Sequence, residues 1–330
     1  MQTQKTLLIL LYLAFIVLGI YFLLGFFNNL HPFFDSLSNF RVHLLIILLP
    51  IMMVIPFFHK NKTYQLLYAL LLIASGFYLS LLLKPFQTKT IPIEKTQHIT
   101  QMQFNLNFRN KEMHRFITYI KENPIDIITL QEVSDEHREK LQELQVEGYG
   151  INFKKDYPFV ERTKGIYPYQ VYCEFRGVGG GAILSKHPIN EERTVCIEEE
   201  GLLWAEVQLP EQSIYVASLH LHWPFPYRQQ EQINIIRPVL SHIPKPTLIS
   251  GDFNAVAWSD AVKKITQASD TNVVNGLRWS IELKEQLPLF PFMKLSIDHL
   301  LLSKELEVER IEVKEGLGSD HLPIISTIRY

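Results

Sequence analysis

Three long apolar stretches fill the first quarter of the chain, and they restrict its fold more than any other feature. They run from Leu7 to Phe27, from Val42 to Phe58 and from Tyr64 to Leu83, and none contains Asp, Glu, Lys or Arg. A helix that crosses a bilayer needs about 20 apolar residues, which the first and third stretches provide. We therefore predict that residues 1–85 form a membrane anchor with three transmembrane helices. Spans without charges give no sign of an ion pathway.

Two of these stretches have an alternative interpretation. A cleaved signal peptide would have an apolar core of only about 7–15 residues, whereas the first stretch continues into Gly25-Phe26-Phe27. The second contains Pro50 and Pro56, which a membrane helix tolerates, and a re-entrant hairpin is the alternative there. Residues 86–97 contain three Thr, two Lys and a Pro. They are predicted to be a linker, and residues 98–330 a separate catalytic domain.

Three crossings place the N-terminus and the large domain on opposite sides of the membrane. The positive-inside rule gives a tie, because each side carries three basic residues near the spans: Lys5, Lys60 and Lys62 on one side, and Arg41, Lys84 and Lys89 on the other. The short Lys60–Lys62 connection and the lysine before the first span favour a cytoplasmic N-terminus. We therefore predict a multi-pass protein of the cell (inner or plasma) membrane whose large domain lies outside the cytoplasm.

Charge is distributed unevenly along the chain. The whole chain has a formal net charge of −2, and residues 1–85 hold one acid, Asp35, against five Lys and Arg. The remainder is therefore net acidic, whereas a strongly basic domain would indicate nonspecific nucleic-acid binding. This argument alone does not exclude nucleic acid, because a site built from carboxylates is acidic until its metal binds.

The two cysteines, Cys173 and Cys196, do not form a Cys-x-x-Cys pair. This spacing argues against a zinc site and against a thioredoxin-like motif. Two buried thiols are the favoured state. A disulfide is the alternative if the domain faces an oxidising compartment.

The large domain combines many short apolar runs with two helical patterns. The helical spacing falls on residues 111–123 and 227–242. Strands are predicted over residues 99–104, 125–130, 182–184, 202–209, 214–219, 247–250, 296–302 and 324–328. Strands and helices do not alternate regularly, so the pattern predicts an α+β fold rather than a doubly wound sheet.

Several of the apolar runs end abruptly in a carboxylate, an amide or an imidazole. In chain order they are Phe104-Asn105-Leu106-Asn107, Gln131-Glu132-Val133, Ser218-Leu219-His220-Leu221-His222, Gly251-Asp252-Phe253-Asn254, Ile297-Asp298-His299 and Ser319-Asp320-His321. Polar residues at strand ends lie at the rim of a sheet, where a metal and a substrate can reach them. The pattern favours metal-dependent attack on a phosphate ester.

Taken in this order, the six segments resemble the endonuclease/exonuclease/phosphatase superfamily, which has the deoxyribonuclease I-like fold. The resemblance covers roughly residues 99–330, and the preceding spans are similar to a membrane-anchored bacterial branch. It implies a four-layer α/β sandwich of two packed, mostly antiparallel sheets. It also implies hydrolysis of phosphodiesters or phosphomonoesters with Mg²⁺ or Mn²⁺.

The resemblance assigns three residues to the metal. Glu132 matches the main metal ligand, with Asn105 beside it, and Asp320 matches a further carboxylate. Oxygen ligands of this kind suit Mg²⁺, which prefers a few carboxylates plus water and phosphate oxygens.

The same resemblance assigns the catalytic roles. Asp252 matches the residue that orients or deprotonates the attacking water, and Asn254 would donate its amide to a phosphate oxygen. His321 matches the histidine at the scissile phosphate, and Asp298 the acid that fixes its tautomer. His220 would stabilise the phosphorane or protonate the leaving group.

Other polar residues near these segments are interpreted as structural. Asn107, His299 and Glu174 belong to this group, although Glu174 would orient His220 in the alternative interpretation. His222 is left open between a substrate contact and a rim residue. Two segments are rich in aromatic residues: residues 157–172 are predicted to be a loop placed for substrate selection, and residues 223–228 form either a substrate wall or a packed loop.

Two classes of function compete. The first is an active phosphoesterase acting on nucleic acid, a phospholipid or sphingolipid headgroup, or a small phosphorylated molecule. The second is an inactive, membrane-anchored binding module that keeps the fold. The complete set of predicted ligands favours the first. The predicted partners are the phosphate-ester substrate and the lipid bilayer, with no obligate protein partner.

Overall fold

A computed structural model describes residues 2–84, 86, 97–152, 159–175, 177–283 and 293–330. The predicted linker therefore lies almost wholly outside the described residues, as do residues 157 and 158 of the first aromatic segment.

The N-terminal part is helical, as the apolar stretches predict. Its helices are α1 (Gln2–Leu24, continued as a 3₁₀ turn over Gly25–Phe27), α2 (Pro32–Ser38), α3 (Arg41–Val54, continued over Ile55–Phe58) and α4 (Lys62–Leu82). Three segments, Lys5–Phe27, Arg41–Phe58 and Lys62–Leu82, are long and apolar enough to cross a membrane. The sequence analysis did not predict α2, which begins with a proline at its first position, a common helix start.

Two six-stranded sheets form the large domain. The first has the order β15-β16-β1-β2-β6-β5, with β1 His98–Asn105, β2 Ile127–Val133, β5 Tyr169–Cys173, β6 Gly180–Ser185, β15 Glu307–Val313 and β16 Ile324–Arg329. The second has the order β11-β14-β10-β9-β8-β7, with β7 Ile189–Ile197, β8 Leu202–Gln208, β9 Ser213–His220, β10 Thr247–Asp252, β11 Asn272–Val273 and β14 Asp298–Leu302. Each sheet contains one parallel pair, β1 with β2 and β9 with β10, and is otherwise antiparallel.

Helices cover the outer faces of both sheets. Helices α5 (Met113–Glu122) and α6 (Asp135–Gln142) pack on the first sheet, and α7 (Gln229–Leu240) and α8 (Asp260–Ser269) on the second. Two hairpins complete the described elements: β3 (Val146–Asn152) with β4 (Phe159–Lys164), and β12 (Ile281–Glu282) with β13 (Lys294–Leu295). The α+β class and the four-layer sandwich are confirmed. The short helices α6 and α8 were not predicted.

The inward faces of the central strands change from apolar to polar along each strand. One end of the space between the sheets is an apolar core, and the other holds a hydrogen-bonded set of amides and hydroxyls. Successive inward residues illustrate this change: Leu248, Ser250 and Asp252 on β10, and Val216, Ser218 and His220 on β9. Since side chains alternate along a strand, every second residue leads from the core toward the same rim.

The two cysteines form a disulfide, which corrects the expectation of two thiols. Cys173 ends β5 at the edge of the first sheet, and Cys196 lies on β7 at the edge of the second. Their Cα atoms are 5.4 Å apart, a normal disulfide spacing. The sequence does not show this proximity, because it arises where two sheet edges meet.

The chain between the first two apolar helices contacts the large domain. We call residues 28–40 the docking segment. Its Asn39 side chain accepts a hydrogen bond from the backbone N of Val256 at 3.0 Å, and the indole of Trp258 donates to the carbonyl of Ser38 at 2.9 Å. The N-terminal helical part is therefore packed against the large domain.

Candidate functional site

Strand register brings three of the predicted site residues together at the rim of the second sheet, where its central strands end. Asp252 at the end of β10 lies opposite His220 of β9 and opposite Asp298 of β14. The preceding glycine makes this pairing possible, because a Cβ on Gly251 would lie 1.8 Å from the carbonyl oxygen of Leu219. This close approach accounts for the glycine in the Gly-Asp-Phe-Asn segment.

Asn105 links the two sheets at the same rim. Its amide nitrogen donates to Glu132 Oε1 and to Asp252 Oδ2, both at 3.0 Å. The second oxygen of Glu132 accepts a hydrogen bond from the backbone N of Phe108 at 3.1 Å. Carboxylates from different sheets therefore meet at one buried amide.

A bulge in β2 aims Glu132 into the site. The pairing of β2 with β6 shifts between Leu130 and Val133, and Glu132 has a φ of 54°. Leu130 and Val133 both belong to the core beneath the outer helices, so strict alternation would have sent residue 132 to that side. A non-glycine residue in the left-handed region is uncommon and concentrates at functional sites.

Asp320 approaches from the loop before β16. Its Oδ1 accepts a hydrogen bond from the Asn107 amide at 2.8 Å, while the backbone N of Asn107 donates to Asn105 Oδ1 at 2.9 Å. Ser319 Oγ donates to the Asn105 carbonyl at 2.8 Å. Asn107, which the sequence analysis interpreted as structural, thus connects Asp320 to Asn105.

His321 is held by a chain of buried side chains. Its Nδ1 lies 2.9 Å from Asp298 Oδ2, and the other oxygen of Asp298 accepts from Gln103 Nε2 at 2.8 Å. His321 Nε2 lies 3.6 Å from Asp252 Oδ2. Gln103 was missed by the sequence analysis; its place two residues before Asn105 on the same face of β1 was the available signal.

The side chains offer ligand atoms of the kind a divalent cation uses. Nitrogen and oxygen atoms of Glu132, His220 and Asp252 lie within 4.8 Å of one another, and so do those of Asp252, Asp298 and His321. Burial raises the pKa of Glu132, and the nearby Asp320 adds a smaller rise. Hydrogen bonds from Asn105 and the backbone of Phe108, and the charge of His321, act in the opposite direction without cancelling it. Excess negative charge in a buried site is what a bound cation relieves, so the donor set fits Mg²⁺ or Mn²⁺.

The family model described as "Endonuclease/Exonuclease/phosphatase family" matches residues 102–321, well over half of the chain. The chain belongs to this family. A comparison with curated protein sequences gave no match.

Solved structures with the family fold resemble the large domain. An endonuclease/exonuclease/phosphatase from Bacteroides vulgatus is 14% identical, with 71% of this chain and 99% of that chain covered and a TM-score of 0.54. One from Beutenbergia cavernae is 17% identical, with coverage of 71% and 72% and a TM-score of 0.51. D. rerio TDP2, complexed with a single-strand DNA product, is 15% identical, with coverage of 70% and 99% and a TM-score of 0.53. At these identities the likeness concerns the fold.

Burial gives this endonuclease/exonuclease/phosphatase family site unusual proton affinities. Desolvation of the carboxyl raises the pKa of Asp252 to about 8, and nearby Asp298 adds to the rise. Burial alone would lower the pKa of His321, but the carboxylates of Asp298 and Asp252 outweigh it and raise that pKa to about 10. Burial lowers the pKa of His220 to about 3. The site therefore pairs a cationic histidine with a neutral one.

The remaining predicted residues have distinct surroundings. The backbone N of Asn254 donates to Asp252 Oδ1 at 2.8 Å, and its amide donates to the carbonyl of Leu221 at 2.7 Å. His299 is buried and lies 2.7 Å from the carbonyl of Ala255, in keeping with a structural role. Glu174 is exposed, and His220 Nδ1 has no hydrogen-bond partner among the described residues.

A cavity of about 330 Å³ lies beside Glu132. Phe108 and Phe175 line it, as do Arg138 and Tyr172, which form a cation–π contact at 4.7 Å. Phe175 also contacts the His220 ring, with centroids 5.3 Å apart. Phe175 therefore contacts both the cavity and His220 of the candidate site, and one member of the first aromatic segment, Tyr172, is part of the cavity wall.

Proposed function

We propose that the protein is a membrane-anchored, divalent-metal-dependent phosphoesterase that hydrolyses phosphodiester or phosphomonoester bonds. The arrangement around Asp252 carries this proposal. One oxygen of this buried carboxylate lies 3.0 Å from the amide that also holds Glu132, and 3.6 Å from a ring nitrogen of His321. A base, a metal-binding carboxylate and a cation for phosphate thus share one pocket. The alternative is an inactive binding module of the same fold.

Asn105, Glu132 and Asp320 would hold the metal, and residues 98–330 would form the catalytic domain. When bound, Mg²⁺ or Mn²⁺ neutralises phosphate charge and stabilises the leaving oxygen. Asn107 fixes both Asp320 and Asn105 through its side chain and backbone. Asn107 is therefore proposed as a positioning residue.

Asp252 is proposed to accept the proton of the attacking water. A carboxylate whose pKa lies near the operating pH is an effective general base, and burial raises the pKa of Asp252 to about 8. The backbone N of Asn254 donates to one oxygen, Oδ1, while the other, Oδ2, accepts from the Asn105 amide and lies 3.6 Å from ring nitrogens of His220 and His321. Water is the only co-reactant: its oxygen bonds to phosphorus as Asp252 takes one of its protons, the bond from phosphorus to the leaving oxygen breaks, and that oxygen takes a proton from solvent. Asp252 then returns its proton to solvent, so the protons balance.

The two histidines are proposed to have different roles. His321 contributes positive charge at the phosphate, and Asp298 fixes its ring through Nδ1. His220, whose pKa burial lowers to about 3, is neutral at ordinary pH. It is therefore better suited to donate a hydrogen bond to the developing phosphorane than to protonate the leaving group. Asn254 keeps its proposed role as an amide donor to a phosphate oxygen.

The proposed reaction is compatible with three classes of substrate. TDP2 was solved with a single-strand DNA product, which keeps nucleic acid among the candidates. A phospholipid headgroup and a small phosphorylated molecule are the others. The chemistry assigned to the site residues is the same for all three.

Three crossings by the apolar helices agree with the packing of the anchor. The docking segment touches the large domain, so both must lie on the same side of the membrane. Passage through α3 and then α4 returns the chain to that side. A re-entrant second segment would leave one crossing between them and would separate the two contacting parts. We therefore propose a multi-pass membrane protein.

The disulfide supports an extracytoplasmic domain, because disulfides persist in oxidising compartments. In membranes from cells quenched with acid, Cys173 and Cys196 are expected to react with PEG-maleimide only after reduction, which adds two adducts. The Cys173→Ser variant serves as control and should show one adduct without reduction. Two adducts on the unreduced wild-type protein would place the domain in a reducing compartment.

Hydrolysis of bis(p-nitrophenyl) phosphate by the full-length protein in detergent tests the reaction class. We expect p-nitrophenol release that requires Mg²⁺ or Mn²⁺, stops with EDTA and falls by about 10²–10⁴-fold in His321→Ala. The exposed His242→Ala variant is a matched control. A lack of turnover with every divalent metal, or turnover that His321→Ala leaves intact, would favour the binding module.

Replacing Asp298 with asparagine should shift the alkaline limb of the pH profile. Activity requires the imidazolium of His321, which is lost as pH rises through its pKa of about 10. Without the Asp298 charge this pKa falls, so we expect the descending limb of kcat/KM to move down by about 1–3 pH units. Superimposable wild-type and variant profiles, even with a lower rate, would show that Asp298 does not control this charge.

A further inference from the structure

We propose that the docking segment holds the rim of the active site at the bilayer surface, and that the substrate is the phosphate ester of a lipid in that same bilayer. This inference rests on the proposed phosphoesterase function and names its substrate class. Five observations support it: the segments that the docking segment contacts, the role of Asp35, an exposed aromatic rim, the short distance from that rim to the end of a span, and the charges at the rim.

The docking segment contacts three segments that carry or adjoin site residues. It contacts the loop after Asp252 through Asn39 and Ser38. Ser36 Oγ donates to the carbonyl of Phe225 at 3.3 Å, in the loop that follows His220 and His222. The third contact is with the β12–β13 hairpin, against which Phe40 packs. Ile281 of this hairpin bridges to His321, so the anchor packs around the mouth of the site.

Asp35 fastens the docking segment to the second sheet's outer layer. It is the one acidic residue among the first 85. Its two oxygens accept hydrogen bonds from the backbone N atoms of Asp260 at 2.7 Å and Ala261 at 3.0 Å, in the first turn of α8. A carboxylate satisfies the free N–H groups and the dipole at a helix start, so this contact fixes the orientation of the domain on its anchor.

An exposed aromatic rim joins the docking segment to the active-site loop. We define the rim as Phe33, Trp223, Phe225 and Tyr227, which are 38%, 41%, 44% and 67% exposed. The rings of Phe33 and Phe225 are in contact, with centroids 5.9 Å apart. Aromatic side chains exposed in this way are typical of the water–membrane interface, where one end of the ring system is apolar and the other is wet.

The rim lies close to the end of the first candidate span. That span ends at Phe27, six residues before Phe33, so even a fully extended chain would separate them by only about 20 Å. The backbone N of Leu30 donates to the carbonyl of Phe27, which turns the chain and shortens this distance. The phosphate layer of a bilayer lies just outside its hydrocarbon core, within reach of such a rim.

The charges at the rim favour a lipid over a nucleic acid. Nucleic-acid binding depends on lysines and arginines that are free to neutralise phosphates. Arg228, which follows the rim, instead donates two hydrogen bonds to Glu231, at 3.0 and 3.1 Å. The part of the chain after the spans is net acidic as well.

A matched pair of esters tests the inference. Hexadecyl p-nitrophenyl phosphate partitions into vesicles, whereas ethyl p-nitrophenyl phosphate has the same scissile bond and remains in water. With full-length protein in phosphatidylcholine vesicles, we expect kcat/KM for the hexadecyl ester to exceed that for the ethyl ester by about 10²-fold or more. The hexadecyl ester supplied in separate, protein-free vesicles should lose this preference.

Variants of the rim test whether the rim itself contacts the bilayer, or whether the membrane-spanning helices alone bring the site to its substrate. Replacing Trp223, Phe225 and Tyr227 together with serine should lower the hexadecyl-to-ethyl ratio by about tenfold, because interfacial binding scales with the apolar area inserted. Ile235→Ser is the control, since Ile235 is 42% exposed on α7 outside the rim, and it should leave the ratio unchanged.

The outcomes distinguish the inference from the proposed function. Hydrolysis of the ethyl ester with a ratio near one, or a ratio that the rim variants do not lower, would overturn the lipid substrate and leave the phosphoesterase intact. Faster cleavage of single-stranded DNA than of the hexadecyl ester would overturn it in favour of nucleic acid. Failure to hydrolyse either ester would contradict both the lipid substrate and the proposed phosphoesterase function.

A fluorescence measurement tests the position of the rim without any substrate. Brominated lipids quench tryptophans that lie at the bilayer interface, and Trp223 is the rim's tryptophan. We expect quenching in vesicles that falls clearly in Trp223→Phe but not in Trp204→Phe, since Trp204 is buried in the second sheet. Equal quenching in wild type and Trp223→Phe would overturn the placement of the rim.

Discussion

The Asp252→Asn variant is expected to lower kcat for a phosphodiester by about 10²–10⁴-fold, the range that a positioned general base contributes. Asparagine retains an oxygen that can accept from the backbone N of Asn254, but its amide nitrogen replaces the oxygen that accepts from Asn105. It cannot accept a proton from water at neutral pH. The loss should therefore appear in kcat, while the affinity for Mn²⁺ changes much less.

Three measurements on the full-length protein examine this result. Steady-state kinetics give kcat, Mn²⁺ titration gives metal affinity, and thermal unfolding confirms that the variant is folded. Asp270→Asn is a matched control, because Asp270 is exposed in a left-handed conformation that asparagine also adopts. Wild-type kcat in Asp252→Asn would mean that another group activates the water.

The low-pH limb of the wild-type pH–activity profile independently tests whether Asp252 is the general base. Asp252 acts as a carboxylate, so its active fraction increases as pH rises through its pKa, which burial raises to about 8 without metal. A nearby cation stabilises the carboxylate and lowers this pKa. The limb should therefore lie below pH 8 when metal is saturating, and Asp252→Asn should remove it.

The Glu132→Gln variant is expected to weaken binding of the divalent metal by at least about 10–100-fold, the range reported for loss of outer-shell partners alone. The change keeps the shape of the side chain but removes the charge of one of the two carboxylates that accept from Asn105. Activity at fixed, low metal concentration should fall in proportion, and high Mn²⁺ should restore part of it.

Mn²⁺ titration of the full-length protein measures this effect directly. Glu136→Gln is the matched control, because Glu136 lies four residues away on the surface and pairs only weakly with exposed Lys140. If Glu132→Gln binds Mn²⁺ as tightly as wild type, the metal is held elsewhere, for example by the set that includes Asp298 and His321.

The residues that meet at the candidate site could be singled out from the sequence because strand ends are local features. Asp252, for example, follows a short buried run, and a carboxylate at the end of such a strand lies at the rim of a sheet. The three apolar helices follow from length and composition for the same reason. The disulfide could not be predicted, since Cys173 and Cys196 belong to different sheets.

The docking segment also escaped prediction. Helix α2 has seven residues, too few for a clear periodic pattern, and it is stabilised by contacts with residues more than 180 positions away. In the sequence, Asp35 is an isolated acidic residue between two apolar stretches. Its partners are backbone N–H groups, which no side-chain pattern reveals.

The sequence by itself determined which chemical groups this protein brings to its site and that three helices can span a membrane, because both depend on short stretches of chain. Only the tertiary structure decided how those groups meet. A bulge turned Glu132 away from the helix side, strand register set Asp252 between His220 and Asp298, and Gln103 completed the support of His321. These arrangements depend on pairing between distant strands, where a shift of one residue moves every side chain to the opposite face.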